Sequence, residues 1–503
     1  MRRMGMAVAG EFVRVAALAA LLALGCLPGG AQAQDEGAVE LRVMTFNVWY
    51  GGEQVSLGQV VEAIRAAHPD IAGIQEPDGN LRKIADALGW PYLDERRHII
   101  SRYPLFDAPG ETDLYTRVEV TPGRIVAVAN THLPATPYGP EGVRDGKTVD
   151  EVIQSEIDTR MGAIEPYAAA LGELAKTGIP VFLTGDFNSP SYLDWTDVVA
   201  KARPAVRYPV LWPVSKALAD AGLRDSYREA FPDPVARPGF TWTAGYPHPR
   251  LKPNETFDRI DFVWTAGDSK TMASELVGEP GGPDVDIAVQ PWPSDHRAVV
   301  SSFRVVPAVA PAMIAVDRRR VVQGEPVVVR FNLPGLEDGR VSIVRSGSEP
   351  TKHVAATMPT GDGTDRPSIR FGTAGMTPRG YDAVLTDPNG KELARASFWL
   401  IARDAQPEIS TDQTIYRATD PIKASFKNAP GLDLDWIGIY KAGETDIYNY
   451  ITYFYTDARI RGAVTIDMNA LGTPLEPGDY ELRLMLDDSY TEVARTAPFQ
   501  VVK

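Results

Sequence analysis

The sequence predicts an α+β fold in which two sheets pack face to face with helices outside, followed by two all-β sandwiches. Between Val39 and Val306, short apolar runs alternate with polar loops and a few patterns of helical period. Beyond residue 313 the patterns are those of strands and turns, and they repeat. Strands interleaved with helices favour layered packing, whereas strands alone favour a sandwich. At 503 residues the chain is also too long for one hydrophobic core.

Residues 1–33 have the pattern of a secretory signal peptide. Three arginines precede the apolar run Val15–Leu27, and an Ala-x-Ala cleavage site ends at Ala33. The run is shorter than the roughly 20 apolar residues of a membrane-spanning helix. The alternative is a lipoprotein with the lipid on Cys26, but the usual leucine three residues before the cysteine is missing. We therefore expect a secreted or periplasmic protein, without a transmembrane segment and monomeric.

The formal net charge of −15 argues against tight nonspecific binding to nucleic acid. Such binding depends mainly on Lys and Arg side chains that neutralise phosphates. The charge argues less against an enzyme acting on a phosphate ester, because a bound metal ion supplies local positive charge.

The first domain is predicted to span residues 34–306, and its strand patterns end at polar side chains. The strand patterns cover Leu41–Phe46, Ile71–Gln75, Ile100–Leu105, Ile125–Asn130, the run from Val181 to Asp186, Arg259–Trp264 and Ala298–Val305. One helix is predicted after an N-cap at Ser56, and a second over Ile157–Lys176 with Gly178 as its C-terminal cap. The polar segment from Pro134 to Glu156 has the length of a functional loop.

Two repeated modules are predicted after a linker at Pro307–Ala312. The modules span residues 313–403 and 404–503, and Pro334-Gly335-Leu336 in the first recurs as Pro430-Gly431-Leu432 in the second. Their length of roughly 100 residues and their alternating apolar residues favour immunoglobulin-like sandwiches. We expect accessory modules that bind a surface or a sugar or shield the first domain, with no catalytic residues.

Carboxylates, carboxamides and histidines recur at the strand ends of the first domain. The set comprises Asn47, Glu76, His132, Asp186, Asn188, Asp261, Asp295 and His296. Oxygen ligands of this kind suit a hard divalent cation, and histidines serve proton transfer to or from a phosphate ester. Each residue also has a structural interpretation, such as a turn cap for Asn47, an exposed loop acid for Glu76 and a hydrogen-bonded core side chain for His132. Their recurrence in one setting favours a site.

Aromatic residues lie close in sequence to this set. They are Trp49, Tyr50, Trp195, Trp242 and Trp292. We expect most of them to pack in the core; the alternative is that two or three line a pocket for an apolar or aromatic part of a substrate.

Taken together, the motifs resemble the endonuclease/exonuclease/phosphatase superfamily, the DNase I-like metal-dependent phosphoesterases. They occur in that family's order between residues 45 and 296: Thr45-Phe46-Asn47, Ile74-Gln75-Glu76, Ser101-Arg102-Tyr103-Pro104, Asn130-Thr131-His132-Leu133, Gly185-Asp186-Phe187-Asn188, Arg259-Ile260-Asp261-Phe262 and Ser294-Asp295-His296. The resemblance implies a four-layer α/β/β/α sandwich. It also implies a Mg²⁺ cofactor, with Mn²⁺ or Ca²⁺ as alternatives.

The resemblance assigns the metal to three residues and the attacking water to two. Glu76 would be the principal metal ligand, with Asn47 and Asp295 close to the ion. Asp186 would orient or activate the water, and Asn188 would hold both Asp186 and the phosphate.

The remaining implied roles concern the two histidines and one arginine. His296 would contact the phosphate or act as a base, with Asp261 fixing its tautomer. Asp258 competes for that place, but the Arg-Ile-Asp-aromatic frame of the family favours Asp261. His132 would stabilise the transition state or protonate the leaving group, and which histidine moves the proton stays open. Arg102 would contribute to substrate binding, as would His132 and Asn188.

The resulting expectation is a secreted, metal-dependent hydrolase that cleaves phosphodiesters by in-line attack of a water activated by the metal ion and by Asp186. Alternatives within the family are a phosphomonoesterase or a nuclease, the latter disfavoured by the acidic charge. An alternative of another class is a noncatalytic surface-binding protein that uses its immunoglobulin-like modules. The identity of the phosphate ester stays open, because fold-level resemblance does not select one.

Overall fold

The structure, a computed structural model, describes residues 37–108, 114–243, 256–334, 339–357, 368–432, 434–468, 470–487 and 489–503. The predicted signal peptide and Cys26 lie outside these residues. Within the described ranges, no helix combines the length and the apolar character that crossing a membrane requires.

Two mixed sheets form the first part of the chain, up to Val309. Their strands are β1 (Val39–Asn47), β2 (Ile71–Gln75), β3 (Tyr92–Asp94), β4 (Ile99–Ser101), β5 (Leu105–Asp107), β6 (Thr116–Thr121), β7 (Arg124–His132), β8 (Val181–Asp186), β9 (Arg224–Asp225), β10 (Asp261–Ala266), β11 (Ser269–Gly278), β12 (Val285–Ala288), β13 (Ala298–Val305) and β14 (Ala308–Val309). The first sheet has the order β12-β11-β13-β1-β2-β4-β3. The second has the order β5-β6-β7-β8-β10-β9, with β14 paired to β7.

Helices cover the outer faces of both sheets. The helices of this part of the chain are α1 (Leu57–Ala67), α2 (Leu81–Leu88), α3 (Gly139–Arg144), α4 (Val149–Glu156), α5 (Gly162–Lys176), α6 (Asp197–Ala202), α7 (Pro213–Asp220) and α8 (Ser226–Ala230). The apolar faces of α1 and α2 pack on the first sheet, and those of α5 and α7 pack on the second. A third core fills the space between the sheets, with Val43 and Ile71 facing Val126 and Phe182. The order is the predicted one of helices, sheet, sheet and helices.

Four predicted segments differ from the structure. The single strand predicted over Ile100–Leu105 is instead β4 and β5, in different sheets, because the chain bends where Tyr103 N–H donates to Ser101 Oγ (2.9 Å). The predicted loop from Pro134 to Glu156 contains α3 and α4. Helix 157–176 begins with a π-helical turn before α5.

The predicted linker also differs, because Ala308 and Val309 pair with β7 and extend the second sheet.

Each sheet has a parallel pair of strands near its centre. Strands β1 and β2 are parallel and place Asn47 beside Gln75, and β7 and β8 are parallel and place His132 beside Asp186. Strand β10 runs antiparallel to β8 and places Asp261 beside Asp186. The carboxyl ends of parallel strands meet at one edge of a sheet. Polar residues from separate parts of the sequence therefore gather at that edge.

A polar network joins the two sheets below this edge. The side chain of Asn130 accepts from Gln75 Nε2 (2.6 Å) and from Thr184 Oγ1 (2.9 Å). A Cβ at Gly73 would overlap Asn130 and Thr184, so the sheets approach more closely here than a side chain at residue 73 permits. The network holds β2, β7 and β8 in register. Glu76 follows the first of these strands, and His132 and Asp186 end the other two.

Two further β-sandwiches follow, and their cores are separate. The first contains β15 (Met313–Val316), β16 (Arg320–Val322), β17 (Val327–Asn332), β18 (Arg340–Arg345), β19 (His353–Thr357), β20 (Ser368–Phe371), β21 (Arg379–Thr386) and β22 (Glu392–Ile401). The second contains β23 (Glu408–Thr411), β24 (Ile415–Arg417), β25 (Ile422–Lys427), β26 (Trp436–Lys441), β27 (Thr452–Tyr455), β28 (Gly462–Ile466), β29 (Gly478–Met485), β30 (Glu492–Arg495) and β31 (Phe499–Val502). This all-β region fits the predicted immunoglobulin-like modules, and the boundaries at 306, 313 and 404 stay predictions.

Candidate active site

Asp186, at the end of β8, is the centre of the polar group at the sheet edge. The side chain is 1% exposed, so its charge depends on hydrogen bonds rather than on water. Oδ1 accepts from Asn188 N (2.9 Å), and Oδ2 accepts from Asn47 Nδ2 (3.0 Å). The same Asn47 Nδ2 donates to Glu76 Oε1 (2.9 Å). Asn47 therefore connects the carboxylate of the second sheet to that of the first.

Two histidines lie close to Asp186. His296 Nε2 lies 3.6 Å and His132 Nε2 lies 3.7 Å from Asp186 Oδ2, and His132 Nε2 lies 3.9 Å from Glu76 Oε1. These separations exceed hydrogen-bond length, so neither contact with Asp186 by itself fixes the orientation of an imidazole. The side chains of His132 and Glu76 are 18% and 20% exposed, whereas that of His296 is 6% exposed. The site is thus accessible from the side of His132.

Asp261, and not Asp258, contacts His296. Asp261 Oδ2 lies 3.0 Å from His296 Nδ1. Asp258 instead accepts from Tyr138 Oη and from Trp195 Nε1, each at 3.0 Å. With Nδ1 bound to a carboxylate, the ring directs Nε2 toward Asp186.

The charges around His296 favour its protonated form. Burial lowers the pKa of His296, but the attraction of Asp261 and Asp186 outweighs burial and raises that pKa well above 6.5. Trp242 packs against the ring with centroids 4.9 Å apart. An imidazolium in this place can donate a proton or hold a negatively charged oxygen.

The oxygen atoms of the site suit a divalent cation. Asp295 Oδ1 is buried and has no hydrogen-bond partner among the described residues, which is costly for a carboxylate unless a cation neutralises it. Burial raises the pKa of Asp295 to about 7, and repulsion from Glu76 adds to it against the attraction of His296. Asp186 and His296, together with Asp261, also offer ligand atoms within 4.8 Å of one another. The donors present therefore fit a metal ion.

Several residues of this site have strained backbone conformations. Glu76 and Asn188 have φ values of 53° and 47°, in the left-handed region that non-glycine residues seldom adopt. Trp49 and Tyr50 have φ values of 62° and 42°, and the backbone N–H of Tyr50 donates to Glu76 Oε2. Strain of this kind persists where surrounding contacts impose it, and it clusters at functional sites.

Three residues without a predicted role support the site. Ser294 Oγ donates to Asn47 O (2.7 Å) and accepts from His296 N (3.0 Å). Thr241 Oγ1 accepts from the backbone N–H of Asp261 (3.1 Å). Arg259 makes two bonds to Asp225, at 2.9 and 2.7 Å, and anchors the segment before β10. In the sequence, Ser294 and Arg259 were marked only by their membership of two of the family motifs, and Thr241 was not marked at all.

Arg102 is not brought to the site. Its backbone N–H donates to Asp70 O (3.0 Å), and its guanidinium lies over Trp90. Asp70 precedes β2, whereas Glu76 follows it, so Arg102 lies at the opposite end of that strand. The other predicted site residues, Asn188 and Asp295 included, lie at the sheet edge.

A model of the endonuclease/exonuclease/phosphatase family matches residues 44–296. The chain is also similar to an uncharacterized protein of Caenorhabditis elegans, 30% identical over 316 residues, a match that covers 57% of the chain and 97% of the relative.

Among solved structures, it is similar to an endonuclease/exonuclease/phosphatase from Beutenbergia cavernae, with 16% identity, a TM-score of 0.34 and coverage of 72% of this chain and 100% of that one. An AP endonuclease from Leishmania major has 14% identity, a TM-score of 0.35 and coverage of 53% and 88%.

Proposed function

The chain belongs to the endonuclease/exonuclease/phosphatase family, and from that premise we propose that it is a secreted metal-dependent phosphodiesterase. It is a hydrolase of phosphate esters. The convergence of Asn47, His132 and His296 on one oxygen of Asp186 carries the proposal. A carboxylate held by a carboxamide can orient a water, and the two imidazoles beside it can bind a phosphate oxygen at the same place.

Glu76 and Asp295, with the carboxamide of Asn47, would hold the metal ion. When bound there, a divalent cation would supply positive charge against a phosphate oxygen and lower the cost of charge that develops during the reaction. The buried Asp295 Oδ1 supports this assignment. Asp261 is assigned to His296 rather than to the ion, since its Oδ2 contacts His296 Nδ1 (3.0 Å).

The proton steps are assigned to Asp186 and the histidines. Asp186 would accept a hydrogen bond from the attacking water and take its proton, and Asn188 N–H would keep that carboxylate oriented. His296, whose charge Asp261 supports, would hold a phosphate oxygen. His132, at the accessible side, would donate a proton to the leaving oxygen. General acid–base groups of this kind contribute about 10²–10⁴-fold each.

The charge of the site favours a diester over a monoester. Four carboxylates, Glu76, Asp186, Asp261 and Asp295, lie together with two histidines. A diester carries one negative charge, whereas a monoester approaches two near neutral pH and would meet stronger repulsion. The net charge of −15 likewise favours a small diester over a nucleic acid.

The test is hydrolysis of bis-p-nitrophenyl phosphate, p-nitrophenyl phosphate and plasmid DNA by the purified protein, with Mg²⁺ or with EDTA. We expect the diester to be hydrolysed fastest and EDTA to abolish turnover. Asp186→Asn should lower kcat at least about a hundredfold. Arg102→Ala is the matched control and should leave kcat/KM within twofold, because its side chain lies at the far end of β2. No metal-dependent turnover on any substrate would exclude the proposed function.

Secretion has its own test. We infer that residues 1–33 direct export and are removed after Ala33. Expression in a bacterium, followed by mass measurement of the periplasmic or medium fraction, should give a chain that begins at Gln34. A protein that keeps residues 1–33 in the cytoplasm would exclude export, and a lipid-modified Cys26 would support the lipoprotein alternative.

A further inference from the structure

The second C-terminal module contacts the loop that follows Glu76. Asp487, in the turn between β29 and β30, is 1% exposed. Its Oδ2 accepts from Gly79 N (3.1 Å), and its Oδ1 lies 2.6 Å from His98 Nε2. A Cβ at Gly79 would lie 2.7 Å from Leu486 Cδ2, so the turn and the loop are in close contact. A module without predicted catalytic residues thus packs against the loop that follows the proposed metal ligand, Glu76.

The turn that makes this contact is held firmly within its own module. Asp435 Oδ1 accepts from Asp487 N (3.1 Å), and Trp436 Nε1 donates to Ser489 O (3.0 Å). Asp435 Oδ2 also accepts two backbone N–H groups of the preceding loop. Side chains attached to this turn are therefore presented to the first domain in a fixed place.

An exposed tyrosine and a half-buried one pack together at this turn of the module. Tyr448 is 64% exposed, and its ring centroid is 4.4 Å from that of Tyr490, which follows the turn. The ring of Trp436 packs edge-to-face against that of Tyr490, with centroids 5.9 Å apart. Large exposed aromatic surface is unfavourable in water, so clustered exposed rings mark a place where a ligand or partner binds.

Tyr50 connects these rings to the proposed active site. It is 54% exposed, and its backbone N–H donates to Glu76 Oε2 (2.9 Å). The N–H of the next residue, Gly51, donates to Glu76 O (2.8 Å), and Asn80 Nδ2 donates to Gly51 O (3.0 Å). The segment that carries Tyr50 is therefore bonded to the same loop that Asp487 contacts.

We propose that Tyr50, Tyr448 and Tyr490 form a subsite that binds an aromatic ring on the substrate's ester group. The inference rests on the proposed function and adds the substrate class, a phosphodiester with an aromatic substituent, either an aryl group or a nucleobase. Tyrosine rings beside a phosphate site favour stacking with a flat ring and offer an alkyl group far less contact. Asp487 is a positioning residue, because it fixes the module against the loop of Glu76.

The test measures binding by calorimetry, with the full-length mature protein and Mg²⁺. Phenylphosphonate and thymidine monophosphate carry a ring, whereas ethylphosphonate offers the same kind of anion without one. We expect at least one ring ligand to bind roughly tenfold tighter than ethylphosphonate, in keeping with the energy of stacking on an aromatic side chain. The ligand that is favoured identifies the ring as aryl or nucleobase.

Variants then assign the preference to the module. Tyr448→Ala should remove most of the preference for the ring ligand over ethylphosphonate. Tyr448→Phe should keep this preference, and Asp487→Ala should weaken it. Ile415→Ala, an exposed residue of the same module at 56% exposure, should leave it unchanged. A ring preference below twofold, or one that survives in both Tyr448→Ala and Tyr490→Ala, would overturn the subsite. Turnover of bis-p-nitrophenyl phosphate by the wild-type protein is measured separately, and its absence would count against the proposed function, whereas the ring preference in binding alone decides the subsite.

Discussion

Replacing Asp261 by Asn tests the central pair of the site at nearly constant volume. The 3.0 Å contact to His296 Nδ1 supports both the orientation and the charge of that ring. Asn presents a neutral amide instead, so the pKa of His296 should fall and the imidazolium that we propose to hold the phosphate should be less populated. Loss of one acid–base group costs about 10²–10⁴-fold in kcat, or about 3–5 kcal/mol of transition-state stabilisation. The assay is the kcat of bis-p-nitrophenyl phosphate hydrolysis at saturating Mg²⁺.

Asp258→Asn is the matched control for this experiment. Asp258 is three residues away and also buried, but it bonds Tyr138 and Trp195 rather than His296. Its replacement should leave kcat within about threefold, and thermal unfolding should show that both variants are folded. Wild-type kcat in Asp261→Asn, or an equal loss in Asp258→Asn, would refute the assignment of Asp261.

Three further predictions concern stability and metal binding. Gly73→Ala should lower the free energy of unfolding by about 1–3 kcal/mol because its methyl would overlap Thr184, whereas Gly162→Ala, in open space on α5, should raise it by about 0.5–1 kcal/mol; urea denaturation measures both. Burial raises the pKa of Asp258 to about 6, so its contribution to stability should be lost as the pH rises from about 4 to 6 and stay constant above; thermal melts of Asp258→Asn should lack this change. Glu76→Gln should raise the Mg²⁺ concentration for half-maximal activity at least about tenfold, and an unchanged value would remove Glu76 from the ligand set.

The strand ends were predictable because local pattern and chemistry coincide there. The run that leads to Asp186 is apolar and ends in β8 at that residue, and Asn47 likewise ends β1. Tight bends were less predictable, as the division of the predicted strand Ile100–Leu105 into β4 and β5 shows. Whether a chain turns or continues after Ser101 depends on which sheet offers a partner, and the local sequence carries no record of that choice.

The choice between Asp258 and Asp261 shows a similar limit. Strand alternation indicates that the two carboxylates face opposite sides, but it does not say which side holds His296. The structure answers this question. Tyr138 and Trp195, from separate segments of the chain, donate hydrogen bonds to Asp258, and Asp261 contacts His296. For Arg102 the motif predicted a place beside the substrate. In the structure the length of β2 separates Arg102 from Glu76.

The sequence by itself determined the family to which the chain belongs and named the candidate residues for its chemistry, because motif order and residue type are properties of the chain. The tertiary structure alone decided which of them meet. Parallel pairing in each sheet gathers Asn47, Glu76, His132 and Asp186 at one edge. It also placed the last module against the loop of Glu76, through Asp487 and Gly79, which are 408 positions apart in sequence. Contacts over such separations depend on the folded packing of whole domains, so no local pattern predicts them.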